Sequence, residues 1–163
     1  ETVIDPGTCK TCPTFTGNIT AGSGICSGES IDLEFIFSGG TAPYIVRYSD
    51  GQTVNDITIT GAGVFSQTVT PNATTTYTIT EITDVNDCPG TPGQSVTVEV
   101  FAEAISAISD AFCEGEMYEL PDGTMVSTPD TYQIVLANQS INGCDSTITV
   151  SLTQNPIYDF DTP

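Results

Sequence analysis

The stretch Pro71–Cys88, PNATTTYTITEITDVNDC, reads as a long Thr-rich β-strand that leaves a Pro-Asn turn and ends in an acidic loop closed by a cysteine. Tyr77 and Ile79 point one way and Thr76, Thr78 and Thr80 the other, the period of two expected of a half-buried strand. The same pattern extends outward on both sides. Upstream, Ile31–Phe37 places Ile31, Leu33, Phe35 and Phe37 inward, and Pro43–Ser49 puts Tyr44, Val46 and Tyr48 on one face. Asp50-Gly51 marks a turn, and Val54–Thr60 and Val64–Thr70 follow it. Thr14–Thr20 supplies a first strand and Gln94–Phe101 a last one. Gly, Pro and Asn separate these runs at regular spacing, and no helical period intervenes. Seven short strands predict an all-β, two-sheet sandwich over residues 14–102.

A smaller β unit is expected over residues 103–155, with strands Ala104–Ser109, Met117–Leu120, Thr124–Ser127, Thr131–Asn138 and Ser146–Thr153. A unit of this size needs a disulfide or a neighbouring domain to hold it. The link Phe101–Ala104 lacks Gly, Pro and Ser, which predicts a stiff junction and not a floppy tether. Residues 1–13 read as a tail outside the first core, and residues 156–163 as a tail or linker.

Charge excludes whole classes of partner. The 163 residues carry 21 acidic side chains against Lys10 and Arg47, a net charge of −19. Such a chain repels nucleic acid and anionic lipid. No apolar run approaches the roughly 18 residues of a membrane span, so no direct membrane insertion is expected. Six cysteines in Thr-rich, Lys-poor strands argue for an oxidising, extracellular setting. The chain starts at Glu1 with no leader pattern, as expected of a mature product or a piece of a longer one.

Cys9 and Cys12 form a C-x-x-C in the tail. No helix follows to support redox use, and zinc needs further free ligands, so a local or crosslinking disulfide is expected. The other cysteines fall in two phrases that recur. Ile25-Cys26-Ser27-Gly28-Glu29 echoes Phe112-Cys113-Glu114-Gly115-Glu116, and Asn86-Asp87-Cys88 echoes Asn142-Gly143-Cys144. The simplest reading is one bridge per unit, Cys26–Cys88 and Cys113–Cys144. Yet an odd number of up-and-down strands between two cysteines puts them at opposite ends of a sandwich, beyond the 7 Å or so that a disulfide spans. Pairing through Cys9 and Cys12 therefore stays open.

The C-x-G-E-S…TTTYT-x-T…N-x-C phrasing resembles the Ig-like (PKD-like) repeats of large cell-surface adhesins secreted by Bacteroidota. The phrase C-x-G-E…NGCDSTITVSLTQNP resembles the short cysteine-bearing repeats that accompany them. Together these cover nearly all of the chain beyond residue 14. The resemblance implies tandem Ig-like β-sandwich domains in a long surface fibre, exported by a type IX-like route and used in adhesion, gliding or matrix building. Asp87 departs from it, standing where a glycine is usual, and the TCKTC tail has no place in the repeat.

No candidate catalytic set emerges. Without histidine, neither a serine nor a cysteine nucleophile has its base. Glu34, Glu81, Glu99 and Glu119 fall at ordinary solvent-facing strand positions, so paired-carboxylate chemistry is not expected. Calcium is the one ion the loops invite. Asp84, Asn86 and Asp87 cluster in one loop, Asp50, Asn55 and Asp56 in another, and Asp110, Glu114 and Glu116 are placed near the domain junction. None matches a known calcium-loop spacing, and no resident cofactor is expected. An isopeptide bond would have to use Lys10, out in the tail. Asn18, Asn72 and Asn138 head glycosylation sequons, and Asp145-Ser146-Thr147 is an O-glycosylation phrase that the resemblance suggests.

The expectation is a non-enzymatic, extracellular, structural and adhesive segment of a surface filament, whose partners are neighbouring repeats, copies of itself, surface glycans or other cells. The tails are candidates for strand addition to neighbouring chains. The alternative is a carbohydrate- or protein-binding module attached to a secreted enzyme, for which Tyr44, Tyr48, Tyr132 and Tyr158 are the available rings.

Overall fold

Among residues 2–5, 10–61 and 63–157, which the computed structural model describes, every regular element is a β-strand. The chain divides into two units, Glu1–Phe101 and Ala102–Pro163.

In the first unit, β1 (Thr2–Asp5) and β2 (Lys10–Pro13) pair as an antiparallel ribbon. There follow β3 (Thr16–Thr20), β4 (Gly24–Cys26), β5 (Ile31–Ser38), β6 (Tyr44–Ser49), β7 (Val54–Ile59) and β8 (Val64–Val69), then β9 (Thr75–Thr83), β10 (Thr91–Pro92) and β11 (Val96–Phe101). They form two sheets, ordered β10-β3-β5-β8 and β4-β11-β9-β6-β7. The alternation read from the sequence supplies the core. Leu33, Phe35, Val46 and Val98 are fully buried, Tyr44, Tyr48, Tyr77 and Ile79 nearly so, and Ile31 and Phe37 pack at the margin. Ring contacts join the sheets, with Phe35 against Tyr48 at 5.4 Å and Phe37 stacked on Tyr44 at 4.3 Å.

The central strand departs from strict alternation at one point. Arg47 pairs with Glu81 but Tyr48 with Ile79, so Thr80 is an extra residue bulged out of the ladder. The bulge resets the phase. Ile82 thereby returns to the core, and Glu81 faces out to meet Arg47 at 2.8 Å, with Asp56 on the guanidinium's other side. The expected tail also differs. Cys12 is buried within the first core, so the chain joins the sandwich before residue 14.

The second unit contains β12 (Ala104–Cys113), β13 (Tyr118–Glu119), β14 (Met125–Val126), β15 (Thr131–Leu136) and β16 (Ser146–Asn155). Its sheet runs β12-β16-β15, accompanied by the β13-β14 hairpin. The core is small: Phe112, Leu120, Ile134, Val150 and Leu152.

Candidate functional site

The recurring phrases are recurring turns. In C-x-G-E, Glu29 N–H donates to Cys26 O at 3.0 Å, and Glu116 N–H to Cys113 O at 3.1 Å. The third residue of each turn is left-handed, Gly28 at φ 87° and Gly115 at φ 85°. A turn with positive φ at that position takes glycine because a Cβ is strained there. The second residue of each turn is tied to the last strand of its unit, Ser27 N–H to Phe101 O and Glu114 N–H to Asn155 O, both at 2.9 Å.

Those bonds continue parallel ladders between entering and leaving strands. β4 runs parallel to β11 over Gly24–Cys26 and Glu99–Phe101, and β3 runs parallel to β10. In the second unit, β12 lies parallel to β16 over ten consecutive pairs, from Ala104↔Ser146 to Cys113↔Asn155, with no break in register. Antiparallel-looking hydrophobic patterns gave no sign of this pairing in the sequence.

N-x-C is a second shared turn. Asp84 N–H donates to Cys88 O and Asp87 N–H to Asp84 O; Ser140 N–H donates to Cys144 O and Gly143 N–H to Ser140 O, all within 2.9–3.0 Å. The residue before each cysteine is left-handed, Asp87 at φ 54° and Gly143 at φ 77°. The glycine that the resemblance leads one to expect at position 87 would adopt this left-handed conformation without the strain a Cβ brings. Asp87→Gly is expected to stabilise the first unit by about 0.5–1 kcal/mol, since left-handed backbone costs an L-residue about 1 kcal/mol or more. Urea unfolding reads this as a higher midpoint at unchanged slope.

The two turns differ at their first residue. The Asp84 carboxylate is buried and accepts from three backbone N–H groups: Asn86 at 2.8 Å, Cys88 at 3.0 Å and Thr41 at 3.2 Å. Burial pushes its pKa up, but these donors outweigh burial and hold it below the ordinary aspartate value. In the second unit Ser140 stands there instead, and its Oγ is a buried oxygen with no hydrogen-bond partner.

The bridges are not those the echo suggests. Cys12 is joined to Cys88, with Cα atoms 5.4 Å apart and a sequence separation of 76. The Cys26–Cys88 pairing is therefore replaced by the route through the tail. Strand direction is the reason. Cys26 sits beside Phe101, at the end of the sheet where β9 begins, while Cys88 follows the end of β9. Strand rise puts these ends about 27 Å apart. Cys113–Cys144 fails likewise. Cys113 lies opposite Asn155 at the end of β16, and Cys144 precedes its start. Cys113 is a free, exposed thiol; Cys26 and Cys144 are disulfide-bonded. Cys9 lies outside the described residues. Disulfides place the chain in an oxidising compartment of extracellular type, and no helix among the described residues is long and apolar enough to cross a membrane.

Of the calcium candidates, Asp84 spends both carboxylate oxygens on backbone N–H groups, while Asn86 and Asp87 are exposed. Asp110 accepts from Ala111 N–H and Tyr118 O–H. It lies with Glu114 and Glu116 toward or beyond the end of β12 remote in sequence from the Phe101–Ala104 link. The described residues contain no group of three or more His, Cys, Asp or Glu placed to hold a metal. Asn18, Asn72 and Asn138 are all exposed. Tyr44 donates to Gly39 O and Tyr132 to Thr128 O; Tyr158 lies outside the described residues.

At one end of the first unit lies an open cleft of about 460 Å³. Its walls are the β6–β7 turn and the β8–β9 loop, and Tyr48 and Tyr77 lie among its lining residues. Both rings are 5% exposed. Alternation puts both on interior-facing positions, and of the two only Tyr48 is among the rings named for a carbohydrate-binding module.

No protein-family model matches the chain, and no curated protein is significantly similar to it.

Proposed function

We propose that the chain is a load-bearing, non-catalytic segment of an extracellular surface fibre built from Ig-like repeats, acting mechanically in adhesion, gliding or matrix assembly. Neighbouring repeats or further copies of the chain are its partners. The observation that carries this reading is the parallel pairing of β12 with β16. Tension enters the second unit at the start of β12 and leaves at the end of β16. Because the strands are parallel, those points lie at opposite ends of the ladder. The hydrogen bonds are then loaded together in shear, not opened one at a time. In the first unit β4 and β11 are also parallel, over three pairs. An all-β, disulfide-bonded, strongly acidic chain suits exposure outside the cell.

Single-molecule pulling tests this, because the ladder has a defined polarity. Ala104 N–H donates to Asp145 O and Glu114 N–H to Asn155 O. By the alternation of a parallel ladder, Ser106 and Ile108 donate into β16 while Ala107 faces the open edge. Proline removes a donor. Ser106→Pro is therefore expected to lower the unfolding force of the second unit well below wild type, with Ala107→Pro nearly neutral. Equal forces for all three proteins would remove the shear ladder as the load-bearing element.

A further inference from the structure

We infer that the cleft between the β6–β7 turn and the β8–β9 loop is a binding site for a neutral, polyhydroxylated ligand, a saccharide. The observation pointing to a ligand is the pair of tyrosines. Tyr48 and Tyr77 are more than nine-tenths buried, they line the cleft, and among the described residues neither hydroxyl has a protein hydrogen-bond partner. The apolar body of each ring is covered while its hydroxyl stays free to pair with water or with a ligand. Both oxygens reach solvent, for Ser140 Oγ is the only side-chain atom among the described residues both enclosed and unpartnered, so a ligand hydroxyl can take the place of water there. Burial, aided by the Asp50 charge, raises both phenol pKa values and keeps both hydroxyls protonated as donors.

The rest of the lining narrows the ligand class. Gln52, Asn55, Gln67 and Asn72 contribute primary amides, which both give and accept hydrogen bonds, as sugar hydroxyls do. No lysine or arginine lines the cleft, so nothing there holds a phosphate, sulfate or carboxylate, and the net charge of −19 repels all of them. Asp50 is the only charged lining residue. Its oxygens already accept from Gln52 N–H at 2.9 Å, Thr53 N–H at 2.6 Å and the Thr53 hydroxyl at 2.8 Å. It therefore stiffens the turn, and it stands without a second carboxylate to form a cation site. An apolar ligand would leave both phenols unpaired. The volume of about 460 Å³ falls in the ordinary range of small-ligand sites. The site is independent of the load-bearing role: a fibre segment without it still carries tension, and a monomer with it still binds.

The test is amide NMR on the intact chain, titrated separately with N-acetylglucosamine, galactose, mannose, cellobiose and calcium chloride. Saturable shifts are expected with at least one sugar, confined to residues 48–55 and 67–77 and including the side-chain amides of Gln52, Gln67 and Asn72. Tyr77→Phe deletes only the unpaired hydroxyl, so its thermal midpoint should match wild type. Its affinity should fall about fivefold, the worth of one neutral hydrogen bond. Asn72→Ala, at an exposed loop position, should weaken binding without affecting the fold. The proposal is overturned if no sugar shifts these resonances, if the shifts persist unchanged in both variants, or if only calcium produces them.

Discussion

Removing the Cys12–Cys88 bridge, as in a Cys12→Ala/Cys88→Ala variant, is expected to cost the first unit about 5 kcal/mol. The loop it closes spans 76 residues, for which loop-closure entropy alone gives about 4.5 kcal/mol in the chain-entropy model. Both sulfurs also sit in the core, so their loss leaves a small void on top of the entropic term. The bridge clamps the start of the first unit to the turn that follows its longest strand. Without it, the β1–β2 ribbon is held by less than before, and its amides should exchange freely. Urea unfolding of the oxidised protein against the double variant measures the loss, and hydrogen exchange locates it. A difference below about 1 kcal/mol would mean that the tail and the Asp84 turn are held together by packing alone.

How much of this was visible beforehand depends on the range of the interaction. Alternation is local, so Leu33, Phe35, Val46, Tyr77 and Val98 could be assigned to the interior from neighbours two residues away. The turn chemistry was equally local: the glycines of both C-x-G-E phrases stand where positive φ demands them. Partner choice is not local. Whether β12 meets β16 in parallel or antiparallel leaves the same pattern in either strand, yet it decides which cysteines come within reach. The echoed phrases are equivalent turns but not mutual partners, because each unit places them at opposite ends of its last strand. The Thr80 bulge was hidden for a related reason, since it exists only relative to the register of β6. The cleft was hidden because Tyr48 and Tyr77 carry a core signature, and only their unpaired hydroxyls set them apart.

Asp84→Ala should cost about 2–4 kcal/mol, because it strands three backbone donors in and beside a buried turn. Each bond to a charged acceptor is worth roughly 1.5–3 kcal/mol, set against relief from burying the charge. The pH dependence follows from the direction of the shift. The folded-state pKa lies below the ordinary value, so the stabilisation is fully present above the unfolded aspartate pKa of about 4. It is lost as pH falls from there through the folded-state value. The wild-type minus Asp84→Ala difference should therefore be flat from neutral pH down to about 5, then shrink through the acid range. Asp84→Asn keeps an acceptor for Asn86 and Cys88 but turns either an amide or a weaker oxygen toward Thr41. It should lose less at pH 7 and show little of the acid dependence. Because Cys88 donates its N–H to Asp84 and is bonded through its sulfur to Cys12, the two losses share one turn. Combining Asp84→Ala with removal of the bridge should cost less than the sum, by about 1 kcal/mol or more, as for neighbouring sites acting together. Strict additivity would mean that the carboxylate and the disulfide hold this turn independently, and a pH-independent difference would mean that Asp84 has the same pKa in the folded and unfolded protein.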